Sequence, residues 1–174
     1  AGSAHRQAGS AFKPVVYAAA IGLGVVTPAS LVADEPLDLR LASGTWSPRD
    51  DDGEFLGPIT VRAALERSRN LPAVRVALDT GLEEIVDLAR VLGVTSRLDP
   101  VPALALGAFE VTPVELATVY ATFAAGGVRP EVHVLAAVVD GGGAPRGGTP
   151  VGAAPVLDAA VTHVITSLLQ GVVD

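Results

Sequence analysis

Two side chains three residues apart, Ser10 and Lys13, form the pattern in this sequence best suited to chemistry. If Ser10 opens a helix, positions i and i+3 share one face, and the hydroxyl and the amine come within reach of each other. A serine hydroxyl is a poor nucleophile until a neighbouring base takes its proton. Lysine serves as that base only where burial or nearby positive charge lowers its pKa enough to leave free amine at neutral pH. Backbone N–H groups at a helix start can also stabilise negative charge developing beside the serine. The bland alternative is a helix cap followed by a solvated lysine. Two features favour chemistry. Lys13 is the single lysine among twelve basic residues, the rest being arginine, so the one cation able to lose its proton stands at this position. Phe12 and Pro14 flank it with apolar surface, and Arg6 upstream could add positive charge.

A second candidate, Ser68-Arg69-Asn70, lies 58 positions after Ser10. Alone it reads as a helix end followed by an asparagine cap. At this spacing it also matches the Ser-x-Asn element that accompanies Ser-x-x-Lys in serine acyl-transferases. There the hydroxyl can relay a proton between lysine and a leaving amine, and the amide can hold a substrate peptide bond.

The elements that must position these residues are mostly helical. A soft run, Val15 to Val26, reads as a buried helix interrupted by Gly22 and Gly24, and Thr27-Pro28-Ala29-Ser30 turns the chain. Leu31 to Asp34 reads as a short extended piece, and Leu41 to Gly57 as a long ordered loop. The acidic run Asp50-Asp51-Asp52 in that loop reads as a solvated turn rather than a cation site. Thr60 caps a helix to about Glu66. Asn70 caps the next, with Pro72 in its first turn and an end at Gly81. Leu82 to Leu92 has helical apolar spacing. Thr112-Pro113-Val114-Glu115 is a capping box whose helix ends at Gly126-Gly127. Val132 to Val139 reads as a strand, residues 141–150 as a hairpin connection, and Asp158 caps a last helix ended by Gly171. The expectation is one mainly helical unit with one or two strands.

Composition narrows the function classes. The 174 residues, 49% hydrophobic, suffice for one domain with a real core. A net charge of -7 argues against nucleic acid as a partner. Without cysteine there are no disulfides and no thiolate metal sites. No apolar stretch reaches the roughly 20 residues that span a bilayer. His5, His133 and His163 lack metal-ligand spacing, so no metal is expected. The sequence has no methionine even at its start, which reads as a piece of a longer chain or a processed product.

The segment Arg6 to Pro14 resembles the active-site segment of the class A, bifunctional penicillin-binding proteins. So do Gly57 to Leu65, Ser68 to Arg75, Ala103 to Ala108, Glu110 to Ala117 and Thr166 to Val173, in the family's order and spacing. The resemblance implies an α+β penicillin-binding/β-lactamase-like transpeptidase fold, present over residues 1–174 chiefly as its helical part. It implies D,D-transpeptidation in cell-wall synthesis: Ser10 as acylated nucleophile, Lys13 as its base, Ser68 as relay and Asn70 as substrate holder. The implied partners are peptidoglycan stem peptides and β-lactam antibiotics; no cofactor is implied. The parent protein would be membrane-anchored, carry a glycosyltransferase domain and act outside the cytoplasm. The family's third motif, Lys-Thr/Ser-Gly, does not occur in these residues. The expectation is therefore a domain lacking that strand and the upstream ones, impaired as it stands and with apolar faces open to association. Two other readings share these residues: a β-lactam sensor or inactive pseudo-transpeptidase, and a class A-like β-lactamase. The latter favours Asp where Arg69 stands and needs an acidic deacylating residue that is not found.

Overall fold

The computed structural model describes residues 4–42, 44–133, 135, 137–148 and 152–173. Its centre is α1 (Lys13–Gly22), begun by Pro14 in the first turn, where a missing N–H costs nothing. Val15, Val16, Tyr17, Ala18 and Ala20 are fully buried. A helix that is apolar all round is a core element rather than a surface one. It ends just before Gly24, whose φ of +71° suits only a residue without Cβ.

The other helices wrap α1. Thr60 caps α2 (Val61–Glu66), its side chain accepting from the Ala63 N–H at 3.2 Å. Next come α3 (Asn70–Thr80) and α4 (Leu82–Val91), the latter with acidic residues in its first turn and Arg90 in its last, matching the helix dipole. The capping box at Thr112 opens α5 (Pro113–Ala124). The last helix, α6 (Ala159–Val173), runs on through Gly171 instead of ending there. Helices α3, α4 and α6 pack directly on α1, and α6 also covers α2 and α5.

The expectation of one or two strands is corrected: ten short strands form five antiparallel pairs among the described residues. In chain order they are β1 (Arg6–Gln7), β2 (Leu31–Asp34), β3 (Leu39–Leu41), β4 (Gly44–Trp46), β5 (Gly57–Thr60), β6 (Glu110–Val111), β7 (Val128–Pro130), β8 (Ala137–Val139), β9 (Pro145–Gly148) and β10 (Ala153–Pro155). The pairs are β1 with β6, β2 with β5, β3 with β4, β7 with β10 and β8 with β9. The extended reading of Leu31 to Asp34 matches β2, whereas most of the other runs, two to four residues long, are too short to show alternation and read as loops. The long loop after Leu41 thus holds a hairpin strand. The strand expected over Val132 to Val139 shrinks to β8, and residues 134 and 136 fall outside the described set. The class is α+β. Two of the pairs matter for the site: β1–β6 carries the approach to Ser10, and β2–β5 delivers Asp34 and the start of α2.

Candidate functional site

Ser10 does not open a regular helix as its cap. It sits inside a one-turn 3-10 helix, Gly9–Phe12, and α1 begins at Lys13, whose backbone N–H donates to the Ser10 carbonyl. The turn puts the two side chains in different surroundings: Ser10 is exposed while Lys13 is 1% exposed. The loop before it is tied down at each residue. Ala8 N–H donates to Phe109 O at 3.3 Å, and Gly9 N–H to Gly107 O at 3.0 Å. Beyond Ser10, the Tyr120 hydroxyl donates to Ala11 O at 3.1 Å. Gly9 and Gly107, with φ of +55° and +63°, lie so close that a Cβ on Gly107 would overlap the Gly9 backbone.

The structure brings Lys13, Ser68 and Asn70 together across 57 positions of sequence. The lysine Nζ donates to Asn70 Oδ1 at 2.7 Å, meets Ser68 Oγ at 3.1 Å, and donates to the Ser68 carbonyl. Those three partners use all three N–H bonds of an ammonium. Burial lowers the Lys13 pKa from 10.5 to about 8. The Asp50 and Asp51 carboxylates oppose that shift and the Arg69 cation adds to it. The helpful neighbouring cation is therefore Arg69 and not Arg6, which lies in β1 paired with Val111.

Ser68 has φ of +53°, the one non-glycine residue with a positive φ among those described. Side chains rarely adopt that region unless their surroundings impose it, and such residues gather at functional sites. Asn70 is the first residue of α3 rather than its cap; Arg69 occupies the cap position, with no side-chain capping bond. The Asn70 side chain is instead spent on the site. Its Oδ1 accepts from Lys13, while Nδ2 donates to Arg49 O at 2.8 Å and reaches Asp51 Oδ1 at 3.3 Å.

The solvated-turn reading of Asp50-Asp51-Asp52 is also corrected. Arg69, 5% exposed, sits among carboxylates: Nε is 2.8 Å from Asp34 Oδ2, Nη1 is 2.6 Å from Asp52 Oδ2, and Nη2 is 3.5 Å from Asp50 Oδ2. Asp34 is fully buried, Asp50 is 5% exposed, and Asp50 also accepts from the Asn70 backbone N–H. Only Asp51 and Asp52 face solvent. An arginine can be buried only with partners. The burial of the middle residue of Ser-Arg-Asn thus accounts for the one acidic triplet in the chain, and that pairing was the available signal. Farther off, Glu115 does more than close its capping box. Its carboxylate accepts from the backbone N–H groups of Thr95, Ser96 and Thr112, and these bonds outweigh burial and hold its pKa well below the ordinary glutamate value. No cluster of metal-ligating side chains occurs among the described residues.

Comparison with known proteins gives a consistent picture. The family model for the penicillin binding protein transpeptidase domain matches residues 3–174. Penicillin-binding protein 1A of Rickettsia bellii is 36% identical over 97% of this chain, which spans 24% of that protein. Penicillin-binding protein 1A of Neisseria meningitidis serogroup B is 38% identical over 79% of the chain and 18% of its own length. The chain thus spans about a quarter or less of these relatives. Among solved structures, penicillin-binding protein 1A from Haemophilus influenzae superposes with a TM-score of 0.92 at 24% identity, over 99% of this chain and 30% of that one. Penicillin-binding protein A from M. tuberculosis, as an imipenem acyl-enzyme complex, gives 0.87 at 20% identity, over 97% and 44%. At these identities the two structures speak for the fold.

Proposed function

Because the chain belongs to the penicillin-binding protein transpeptidase family, we propose that it carries the nucleophile-bearing part of a D,D-transpeptidase of peptidoglycan synthesis that works through an acyl-serine. The observation that carries this reading is the Lys13 amine, buried one turn after an exposed Ser10 and held between Ser68 and Asn70 with its pKa lowered to about 8.

The donor chemistry of the lysine favours a particular proton path. As a free amine, Lys13 keeps two N–H bonds and gains a lone pair. Ser68 O and Asn70 Oδ1 can only accept, so they take the two N–H bonds. The Ser68 hydroxyl can either donate to the lone pair, and so relay a proton away from Lys13, or turn aside and leave the lone pair open to the Ser10 proton. In the proposed reaction Ser10 Oγ attacks the carbonyl between two terminal D-alanines, and its proton passes to the Lys13 amine. The tetrahedral intermediate collapses and the C–N bond breaks. The departing D-alanine amine takes a proton relayed from Lys13 through Ser68. The ester on Ser10 is then opened by an amine of a neighbouring stem peptide, which forms the cross-link and restores the serine. Asn70 would orient the donor's amide once substrate replaces one of its Nδ2 contacts.

β-Lactams would acylate the same serine; the M. tuberculosis proteins among the structural neighbours are recorded with imipenem as an acyl-enzyme and with penicillin V. The same reading places the substrate-carboxylate site on a Lys-Thr-Gly strand outside these residues. The parent is then a membrane-anchored protein with a glycosyltransferase domain acting outside the cytoplasm, and residues 1–174 alone are impaired. Among the described residues no helix is long and apolar enough to cross a membrane.

Gel labelling with a fluorescent penicillin tests the proposal, on this chain, on a chain extended through a Lys-Thr-Gly motif, and on Ser10→Ala of each. A covalent band in the extended chain that vanishes with Ser10→Ala is the expected result. Absence of label from a folded extended chain would sink the reading.

A further inference from the structure

The acidic loop lies against the back of the second motif, and one of its carboxylates reaches two residues of that motif at once. Residues 68–70 are held on one side by the end of α2, with Ser68 N–H on Leu65 O and Arg69 N–H on Ala64 O, both at 2.9 Å. On the other side stand four aspartates with unequal roles, Asp51 reaching only the Asn70 side chain at 3.3 Å. Asp34, at the end of β2, meets the Arg69 guanidinium and the Leu56 N–H. Asp52, which faces solvent, meets Arg69 and the Glu54 N–H. Asp50 alone contacts both the Arg69 side chain and the Asn70 backbone.

We propose that Asp50 is a positioning residue for the acylation site: its carboxylate clasps the Asn70 N–H and the Arg69 guanidinium, and so holds Ser68 and Asn70 in the geometry that receives Lys13. This rests on the acyl-serine reading above.

The geometry explains why a carboxylate suits this position better than a neutral side chain. Ser68 occupies a left-handed backbone conformation that its own side chain disfavours, so something outside it must hold the turn. The Lys13 bond to Ser68 O fixes one peptide of that turn, and the Asp50 bond to Asn70 N–H fixes the next. Between them the buried Arg69 charge needs an anion near it. One carboxylate serves both, through Oδ1 on the N–H and Oδ2 towards the guanidinium. Burial and the neighbouring Asp34 push the Asp50 pKa up, while the Asn70 N–H and Arg69 favour its ionised form, in which the bond is charge-assisted and stronger than an amide or hydroxyl acceptor would give.

Asp50 is also one of the charges that Lys13 senses. The charged groups around the lysine are Asp50, Asp51 and Arg69. Asp50 itself faces Asp34 and Arg69, and the buried Tyr17 hydroxyl, kept neutral by burial and by these carboxylates, lies near both aspartates. Removing the Asp50 charge takes away an influence that holds the Lys13 pKa up. The position therefore has two separable effects, one on geometry and one on the pH at which free amine appears.

The test is the acylation rate of the intact protein by a fluorescent penicillin, followed against pH, for Asp50→Ala, Asp50→Asn and the surface control Asp87→Asn. Asp50→Ala leaves the Asn70 N–H unpartnered and is expected to slow acylation about tenfold or more at every pH. Asp50→Asn keeps an oxygen acceptor of the same size. It should recover much of that loss and move the acid limb of the profile to lower pH. Asp87→Asn, on the exposed side of α4, should match the parent. Thermal unfolding of each variant separates slow acylation from loss of fold, and the near-isosteric Asp50→Asn decides if Asp50→Ala does not fold. Parent-like rates in both Asp50 variants overturn the proposal. So do equal losses with an unmoved profile, or loss of fold in both, since Asp50 would then be a structural anchor. A parent that fails to label, or labels on Ser10→Ala, instead overturns the acyl-serine reading beneath it.

Discussion

Replacing Lys13 by arginine separates a proton-accepting amine from a merely positive one. The pKa of about 8, against an ordinary 10.5, changes how much free amine exists at pH 7. The fraction rises from about one molecule in three thousand to about one in eleven, so burial raises the base population about 300-fold. Arginine keeps the charge and most of the reach but does not deprotonate in proteins, so this population falls to nothing. Its planar fork also fits poorly into a cradle of three acceptors arranged around one nitrogen. General-base assistance contributes about 100-fold to about 10,000-fold, and acylation by a fluorescent penicillin should fall by that order in Lys13→Arg. In the parent, the rate followed across pH should climb on the acid side and level off above about 8, where the amine is free. Two results would refute the reasoning. One is a Lys13→Arg protein acylating within about tenfold of the parent; the other is a parent profile that stays flat from about pH 6 to about pH 9.

Other consequences can be measured directly. Because burial places the folded-state pKa of Lys13 below its unfolded value, the fold bears the full penalty of the buried ammonium below about pH 8 and sheds it as pH rises towards 10.5. Urea melts of the parent against Lys13→Met should show the variant's relative stability declining over that window, and parallel curves would count against a buried charge. Gly107→Ala forces a side chain into a left-handed residue and into the Gly9 backbone, costing about 1–3 kcal/mol and displacing the Ser10 turn. Its acylation should drop even below the melting temperature; a parent-like rate would show that the turn is not held from Gly107. Glu115→Gln turns an acceptor-only carboxylate into a group with two donors facing three backbone N–H groups, for a loss of about 2–4 kcal/mol in denaturant unfolding. Since the folded pKa of Glu115 is depressed, its contribution is complete above the ordinary 4.5 and fades as pH falls below it. Glu115→Gln should therefore show a shallower acid-side decline than the parent; an identical decline in both proteins would reject the assignment.

The parts of the fold that could be read in advance carry their cause within a few residues. Thr60 and the Thr112–Glu115 box cap helices because hydroxyl and carboxylate sit at fixed offsets from the N–H groups they meet. The apolar run after Lys13 is buried because nothing in it wants water. Eight of the ten strands escaped notice, all but β2 and β8, because each is fixed by its partner rather than by its own pattern. Arg6 and Gln7 are a strand only because Val111 and Glu110 lie beside them, over a hundred residues away. Val132 to Val139 shows the converse: among its described residues a strong local preference yields the three residues of β8, which have β9 to pair with.

The site divides along the same line, but charge makes the illegible part more consequential. Ser10 and Lys13 are three residues apart in sequence, so their pairing could be read locally, although the bonds of the Lys13 amine go to Ser68 and Asn70. Ser68 and Asn70 could be joined to them only through the spacing of a family pattern. The acidic triplet had no such guide, and charges in a loop are ordinarily solvated. What reverses that expectation is Arg69. Between Ser68 and the first turn of α3 its side chain is buried, and a buried guanidinium needs carboxylates beside it. Asp34 arrives on β2, whose register with β5 also sets the start of α2, and Asp50 arrives on the loop between β4 and β5. The same ladder thus sets both the end of α2 from which Ser68 hangs and one of the acids that hold Arg69. A reading confined to residue types sees a nucleophile, a base and a relay. The alignment proposed for them depends equally on a buried cation and on the carboxylates that accompany it.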